Sequence, residues 1–341
     1  MRIAINGFGR IGRVFFRQAF DNPLFDIVAI NDLGEGENLA YLLKHDSVYG
    51  RYDRSSKFKV QSSKSYLIVD GKEIPFFQER EPQKLPWKEL GVDVVVESTG
   101  VFASFEKAKA HLDAGAKRVV LSAPSKDDAT PTSTPNVGFE TLSASPITSN
   151  ASCTTNATTP IVAVLMNDPG IVKAMLSTVH GYTATQAIVD GPDAKDFRRG
   201  RAGAQNIVPS STGAAEAVAQ AIPSLKGLFD GIAMRVPVVA GSIIDLTFVA
   251  KRKTSKEEIN DILRAAAAMP LWQGILKVSD EPLVSTDIIG EPYGSIVDSS
   301  LTRVIGDDLV KVCSWYDNEW GYCAMLMKHI ESLEPLLQMK N

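Results

Sequence analysis

"RIAINGFGRIG", residues 2–12, carries a short run of β-forming residues straight into three glycines spaced G-x-G-x-x-G. A helical pattern, "RVFFRQAF" at 13–20, follows at once. Strand, tight turn and helix in this order open a nucleotide-binding βαβ unit. Gly7 permits the turn, Gly9 lets the backbone approach a pyrophosphate, and Gly12 allows close packing of the helix. The helix N-terminus offers N–H groups and a favourable dipole to the phosphates. Glycines at this spacing also serve ordinary turns. The second strand, "DIVAIN" at 26–31, extends the motif, because it ends at Asp32, about 20 residues beyond Gly12. A carboxylate there accepts hydrogen bonds from the adenosine ribose and repels a 2′-phosphate, so NAD is expected over NADP.

Working outward, "VDVVVEST" at 92–99 is a continuous apolar run suited to a strand covered on both faces. Gly100 and the helical "SFEKAKAHLDAG" follow, and "AKRVVLSAPS" at 116–125 repeats the form. A doubly wound α/β domain of the Rossmann type results. Residues 57–77 alternate as an antiparallel excursion with a turn at "DGK", and residues 125–146 read as an irregular connection. Beyond it, "TTPIVAVLMND" has helical spacing, with Ser152 or Thr154 as cap, and "AMLSTVHGYT" reads as a strand.

A chain of 341 residues exceeds the usual size of one hydrophobic core, so two domains are expected. Hydrophobic content of 44% with 22% charge suits a globular protein, and no run approaches the roughly 18 apolar residues of a membrane span. No membrane partner is expected. The net charge is −4 and basic residues are scattered, except in "KDFRRGR" at 195–201, which argues against nucleic acid and leaves small anions as partners. Cys153, Cys313 and Cys323 are odd in number and lack CxxC or metal-ligand spacing, which predicts reduced thiols and no metal site. The opening residues run into the glycine turn without an apolar signal region, so the cytoplasm is the expected compartment.

Cys153, in "SNASCTTN" at 149–156, reads either as a small packed hydrophobe or as a nucleophile. At a helix N-terminus the dipole and N–H groups favour a thiolate, and a nearby imidazole adds to this. His180, at the end of its strand, is one of only four histidines and is either a hydrogen-bonded structural group or the base. Thr183, Thr185, Arg198, Thr212, Gly213 and Arg235 supply the hydroxyls, backbone and guanidinium groups that hold phosphate oxygens.

"INGFGRIGR", "ESTGVF", "SAPSKD", "SNASCTTN", "HGYTATQ", "PSSTGAA", "RVP" and "SWYDNEWGY" occur in the order found in phosphorylating glyceraldehyde-3-phosphate dehydrogenases, and the resemblance spans nearly the whole chain. It implies oxidation of glyceraldehyde 3-phosphate, with inorganic phosphate as acyl acceptor, to 1,3-bisphosphoglycerate with reduction of NAD. Cys153 would form a hemithioacetal and then a thioester, with His180 moving protons. Thr183 and Arg235 resemble the site for the substrate phosphate, and Ser152, Thr154, Thr212 and Gly213 the site for the attacking phosphate, with Arg198 an added contact. Arg10 and Ile11 match backbone contacts to the pyrophosphate, Arg80 and Ser122 further cofactor contacts, and Asn318 the group that fixes the nicotinamide carboxamide. Leu33 and Pro192 fit the NAD-preferring pattern. The resemblance also implies a NAD-binding domain over residues 1–151 with the C-terminal helix in 318–341, about 319–336. It makes 152–317 an α+β catalytic domain with a mostly antiparallel sheet, and the assembly a homotetramer whose 182–208 loop lies near a neighbouring cofactor.

Three places depart from the family pattern: Ala157, "PTSTPNVGFETL" at 131–142, and "VVAGSIIDL" after "RVP". They bear on local loops. Two other functions stay open at this level: an erythrose-4-phosphate dehydrogenase, in which water replaces phosphate, and a non-catalytic NAD-binding redox sensor. Thr183, Thr212 and Gly213 weigh against the first, and the joint presence of Cys153, His180, Arg235 and Asn318 against the second.

Overall fold

A computed structural model describes residues 1–194 and 196–338. Lys195, the first residue of the basic stretch, and residues 339–341 of the expected C-terminal segment lie outside the described residues. The chain divides into two compact units, one of Met1–Ser133, Phe139–Ala151 and the chain from Leu326 onward, the other of Thr134–Gly138 and Ser152–Met325.

The first unit is built on an eight-stranded sheet. Arg2–Asn6 lies at its centre, paired in parallel with Asp26–Asn31 on one side and Val94–Glu97 on the other. Arg118–Leu121 and Ile147–Ser149 continue the parallel order outward. On the other flank, Lys72–Phe77 pairs in parallel with the Asp26–Asn31 strand and then antiparallel with Lys64–Val69, which pairs with Ser56–Gln61. Apolar side chains on both faces of the central strands explain their continuous hydrophobic runs: Ile3, Ile5, Val94, Val95 and Val96 are fully buried. Helices Arg10–Ala19 and Phe105–Asp113 follow their strands as expected from sequence.

The glycines show why that turn reads so clearly. Gly7 has φ +97°, and a Cβ there would lie 2.7 Å from the Ser98 carbonyl carbon. The end of the chain joins this unit through His329, which is fully buried. Its Nδ1–H donates to the Ser133 carbonyl at 3.2 Å, and its Nε2 accepts from the Thr148 hydroxyl at 2.9 Å. The C-terminal segment differs from the single helix expected: it forms helix Trp320–Glu331, a break, and helix Glu334–Gln338. Pro335 has no N–H to offer the Glu331 carbonyl, which ends the first ladder.

The second unit centres on another eight-stranded sheet, in which most pairings are antiparallel. Ile171–Gly181 is its long central strand, parallel to Phe229–Val236 and antiparallel to Ser242–Ala250. Helix Cys153–Asn167 packs its Ile161, Val162 and Leu165 into a core with Leu176, Leu246 and Phe248. Mixed parallel pairing in the first unit and antiparallel pairing in the second give the α/β and α+β classes expected. Among the described residues, no helix is long and apolar enough to cross a membrane, and no group of three or more His, Cys, Asp or Glu is placed to hold a metal ion.

Candidate active site

In the first unit, a cavity of about 320 Å³ opens at the C-terminal ends of the parallel strands, lined by Gly7, Gly9, Asp32, Arg80 and Thr99 among others. This is where a doubly wound sheet binds its ligand. Gly9 is the N-cap of the helix without a side-chain cap, and a Cβ there would meet nothing within 4 Å. Gly12 is the opposite case, since a Cβ would lie 2.1 Å from the Gly7 carbonyl oxygen. Open space above one glycine and tight backbone beneath the other suit a pyrophosphate lying over the turn. Asp32 stands at the rim, its Oδ2 accepting from the Phe8 N–H at 2.6 Å and its Oδ1 from the Gly34 N–H at 2.8 Å. Both oxygens keep lone pairs for ribose hydroxyls.

Of the other expected cofactor contacts, Arg10 and Ile11 open the helix, and the Arg10 guanidinium pairs with Asp46 at 2.5 Å. Asp46 sits below the usual carboxylate range: burial pushes it up, but hydrogen bonds from Tyr49, Val48 and Arg10 prevail. Ser122 donates its N–H to the Glu97 carbonyl at 2.9 Å. Asn318 belongs to the second unit, where it is buried and its Oδ1 accepts from the Ser242 hydroxyl at 2.8 Å.

In the second unit, Cys153 is the first residue of its helix. Ser152 is the N-cap, its hydroxyl accepting from the Thr155 N–H at 3.1 Å. His180 reaches the site from the end of the strand Ile171–Gly181. Its Nε2 lies 3.3 Å from Cys153 Sγ. Its Nδ1 lies 2.7 Å from the Gly181 carbonyl, and Nε2 is the ring nitrogen that faces the thiol. Arg235 is the register neighbour of His180 on the adjacent parallel strand, and its guanidinium Nη1 contacts His180 Nδ1 and lies 3.3 Å from the same carbonyl.

Burial lowers the His180 pKa to about 3, with the positive charge of Arg235 acting in the same direction, so the ring is neutral and can accept a proton. Burial also pushes the Cys153 thiol up, while Arg235 and the Thr154 N–H and hydroxyl favour the thiolate. The helix-end effect expected from sequence therefore works against desolvation. At 3.3 Å the thiol and the imidazole are within reach of a direct hydrogen bond.

The expected anion contacts are placed unevenly. Arg235 has a buried Nε with no hydrogen-bond partner, an unpaired donor beside the thiol–imidazole pair. Thr154 is buried, its hydroxyl 2.9 Å from the Tyr316 hydroxyl. Thr183 turns its hydroxyl to Thr185 at 2.9 Å and to Gln186 at 3.1 Å. Arg198 is exposed, and the Thr212 hydroxyl accepts from the Ala214 N–H beside Gly213, which caps helix Ala214–Ala221. Among the described residues, no hydrogen bond joins Thr183, Arg198 or Thr212 to Cys153 or His180. Sequence reasoning missed Tyr316, which bridges Thr154 and Thr178 and packs edge-on to His180 with ring centroids 5.9 Å apart. It lies in the "SWYDNEWGY" stretch, but its contact with Thr154 spans 162 residues and is not marked by that motif.

Two family models match the chain: "Glyceraldehyde 3-phosphate dehydrogenase, NAD binding domain" over residues 1–105, and "Glyceraldehyde 3-phosphate dehydrogenase, C-terminal domain" over residues 152–318. The glyceraldehyde-3-phosphate dehydrogenase of Geobacillus stearothermophilus is 49% identical over 323 residues, 94% of this chain and 95% of that protein. That of Borreliella burgdorferi is 47% identical over 339 residues, 98% and 99% of the two chains. The chloroplastic glyceraldehyde-3-phosphate dehydrogenase GAPA1 of Arabidopsis thaliana is 49% identical over 326 residues, 94% and 81% of the two. The match of the first model makes NAD the cofactor. Similarity at this level over both units shows that the chain belongs to the glyceraldehyde-3-phosphate dehydrogenase family of NAD-dependent oxidoreductases.

Proposed function

We propose that this chain oxidises glyceraldehyde 3-phosphate and phosphorylates the product to 1,3-bisphosphoglycerate. The observation that carries the proposal is the 3.3 Å approach of Cys153 Sγ to a neutral His180 Nε2, with Arg235 beside it. Nε2 takes the thiol proton as sulfur attacks the aldehyde carbon and returns it to the carbonyl oxygen, giving a hemithioacetal. His180 then removes that hydroxyl proton as the carbon is oxidised to the thioester. NAD, when bound, accepts the hydride. Attack by inorganic phosphate on the thioester carbon breaks the C–S bond, and the His180 proton returns to sulfur.

Arg235, with its unpartnered Nε, supplies positive charge for a substrate phosphate, and Thr183 and Arg198 are assigned to the same task. Ser152, Thr154, Thr212 and Gly213 are assigned to the attacking phosphate. On the cofactor side, Gly7, Gly9, Arg10, Ile11 and Gly12 are assigned to the pyrophosphate, Asp32 to the ribose, and Arg80, Ser122 and Asn318 to the remaining contacts. Ile188 and Phe197, 89% and 92% exposed in the loop after His180, and Met175, 64% exposed on the sheet, are large apolar side chains that support burial against further copies in a homotetramer. Three free cysteines support a reducing compartment, the cytoplasm.

The test compares NADH formation from glyceraldehyde 3-phosphate and from erythrose 4-phosphate, with and without inorganic phosphate. Phosphate-dependent oxidation of the triose at the higher rate is expected. Faster, phosphate-independent oxidation of erythrose 4-phosphate would overturn the proposal.

A further inference from the structure

Beneath the cavity of the first unit runs a chain of buried hydrogen bonds that the cofactor contacts above do not use. Glu97, 3% exposed, ends the strand Val94–Glu97. Its Oε1 accepts from the Thr99 N–H at 2.8 Å and from the Thr99 hydroxyl at 2.5 Å. Its Oε2 lies 2.6 Å from the Asn6 amide nitrogen and 3.1 Å from His111 Nε2. Trp87 decides where the His111 proton sits. An indole nitrogen only donates, and it donates to His111 Nδ1 at 3.0 Å. The proton of the neutral ring is therefore on Nε2, aimed at Glu97. Asn6 Nδ2 and His111 Nε2, 3.3 Å apart, are then two donors converging on one carboxylate oxygen.

An ionised carboxylate only accepts, so Glu97 dictates which way the Asn6 amide points. With its nitrogen toward Glu97, Asn6 turns its oxygen to the Asn31 amide nitrogen at 2.7 Å. Asn31 in turn grips the backbone of Glu79 on both sides, donating to its carbonyl and accepting from its N–H, each at 2.9 Å. Asn31, Glu79, Arg80 and Thr99 all line the cavity.

We propose that Glu97 is a positioning residue of the cofactor site: through Asn6 and Asn31 it holds the Glu79–Arg80 wall in place, and through Thr99 it holds a second wall. This rests on that cavity being the NAD site. A glutamine has the same shape but cannot serve four donors. With its oxygen toward Thr99, its NH₂ faces the Asn6 and His111 donors; reversed, it faces the Thr99 N–H. In both orientations a donor meets a donor: the buried Asn6 and His111 groups in the first, the N–H of the exposed Thr99 in the second.

The experiment measures NAD affinity of the full-length protein by calorimetry. Glu97→Gln is expected to weaken binding about ten- to a hundredfold, the size of an unsatisfied buried donor, with more of the loss in KM for NAD than in kcat. Adding Asn6→Asp gives a carboxylate that accepts from both the glutamine amide and Asn31, so the double variant is expected to bind more tightly than E97Q. N6D alone sets two carboxylates together and is expected to weaken binding. A purely structural role for Glu97 would lower thermal stability without this reversal of sign. In the native protein, ¹⁵N NMR of His111 at neutral pH is expected to show a neutral ring protonated at Nε2. Overturning results are E97Q affinity within twofold of native, a double variant no better than E97Q, or a His111 proton on Nδ1. A native protein that binds no NAD would defeat the assignment of the cavity itself; a failure confined to the variants or the tautomer defeats only the role of Glu97.

Discussion

Gly9 and Gly12 lie three residues apart in one motif, and the structure assigns them opposite sensitivities. Gly12→Ala places a Cβ 2.1 Å from the Gly7 carbonyl oxygen, 3.1 Å from the Gly7 carbonyl carbon and 3.3 Å from Ile5 Cγ2. The first contact is with backbone, so no side-chain rotation relieves it. Helix and strand must part by roughly 1.5 Å to reach ordinary van der Waals separation. That displacement sits at the upper end of overpacking costs, about 3 kcal/mol, a large share of the roughly 5–15 kcal/mol that holds a domain together. Gly9→Ala meets nothing within 4 Å, and Gly9 has φ −70°, which alanine adopts without strain. Reduced freedom of the unfolded chain favours the alanine and a poorer N-cap disfavours it, so stability is expected to stay within about 1 kcal/mol of native. On the assignment proposed above, the new methyl instead occupies the space over the turn that the pyrophosphate would take. Urea unfolding and NAD calorimetry on both variants check this. G12A is expected to lose stability, and G9A to lose affinity while keeping stability. A G12A protein as stable as native, or G9A binding NAD as tightly as native, refutes the reasoning.

The remaining predictions concern the pH response, the helix cap and the site charge. Burial depresses the His329 pKa to about 4, so the unfolded chain takes up its proton first; the stability from the neutral ring is complete above pH 6.5 and is lost as pH falls towards 4, which the urea midpoint measured against pH will show and His329→Gln will flatten. Ser152→Ala removes the acceptor for the Thr155 N–H and is expected to cost about 1 kcal/mol by urea unfolding. Arg235→Leu takes away a positive charge that disfavours imidazolium, so the His180 pKa is expected to rise, as followed by NMR titration; KM for the aldehyde phosphate is expected to rise as well.

The legible parts of this protein were those whose cause is local. A strand ending at Gly7, a turn that needs positive φ, and a helix that must touch the strand at Gly12 all lie within eleven residues of sequence, and their spacing carries the geometry. The Ser152 cap is local in the same sense. The break after Glu331 was not anticipated, although Pro335 marks it, because the apolar pattern runs on through it. What sequence alone could not supply was convergence across strands. His180 and Arg235 become neighbours only through parallel pairing, and Tyr316 meets Thr178 across the intervening strand Ser242–Ala250 and Thr154 from the helix Cys153–Asn167. Glu97 shows a further limit: it closes a run that reads as plain apolar strand, and its partners Asn6 and His111 come from two other segments.

The claim at the centre of this account is that Cys153 carries the acyl group. Incubating the protein with NAD and glyceraldehyde 3-phosphate in the absence of inorganic phosphate, followed by acid quench and peptide mass spectrometry, tests it directly. The 3-phosphoglyceryl mass is expected on the Cys153 peptide of the native protein, with no acylation and no NADH in Cys153→Ser although that variant still binds NAD. An acyl group on another residue, or undiminished turnover in Cys153→Ser, would contradict it.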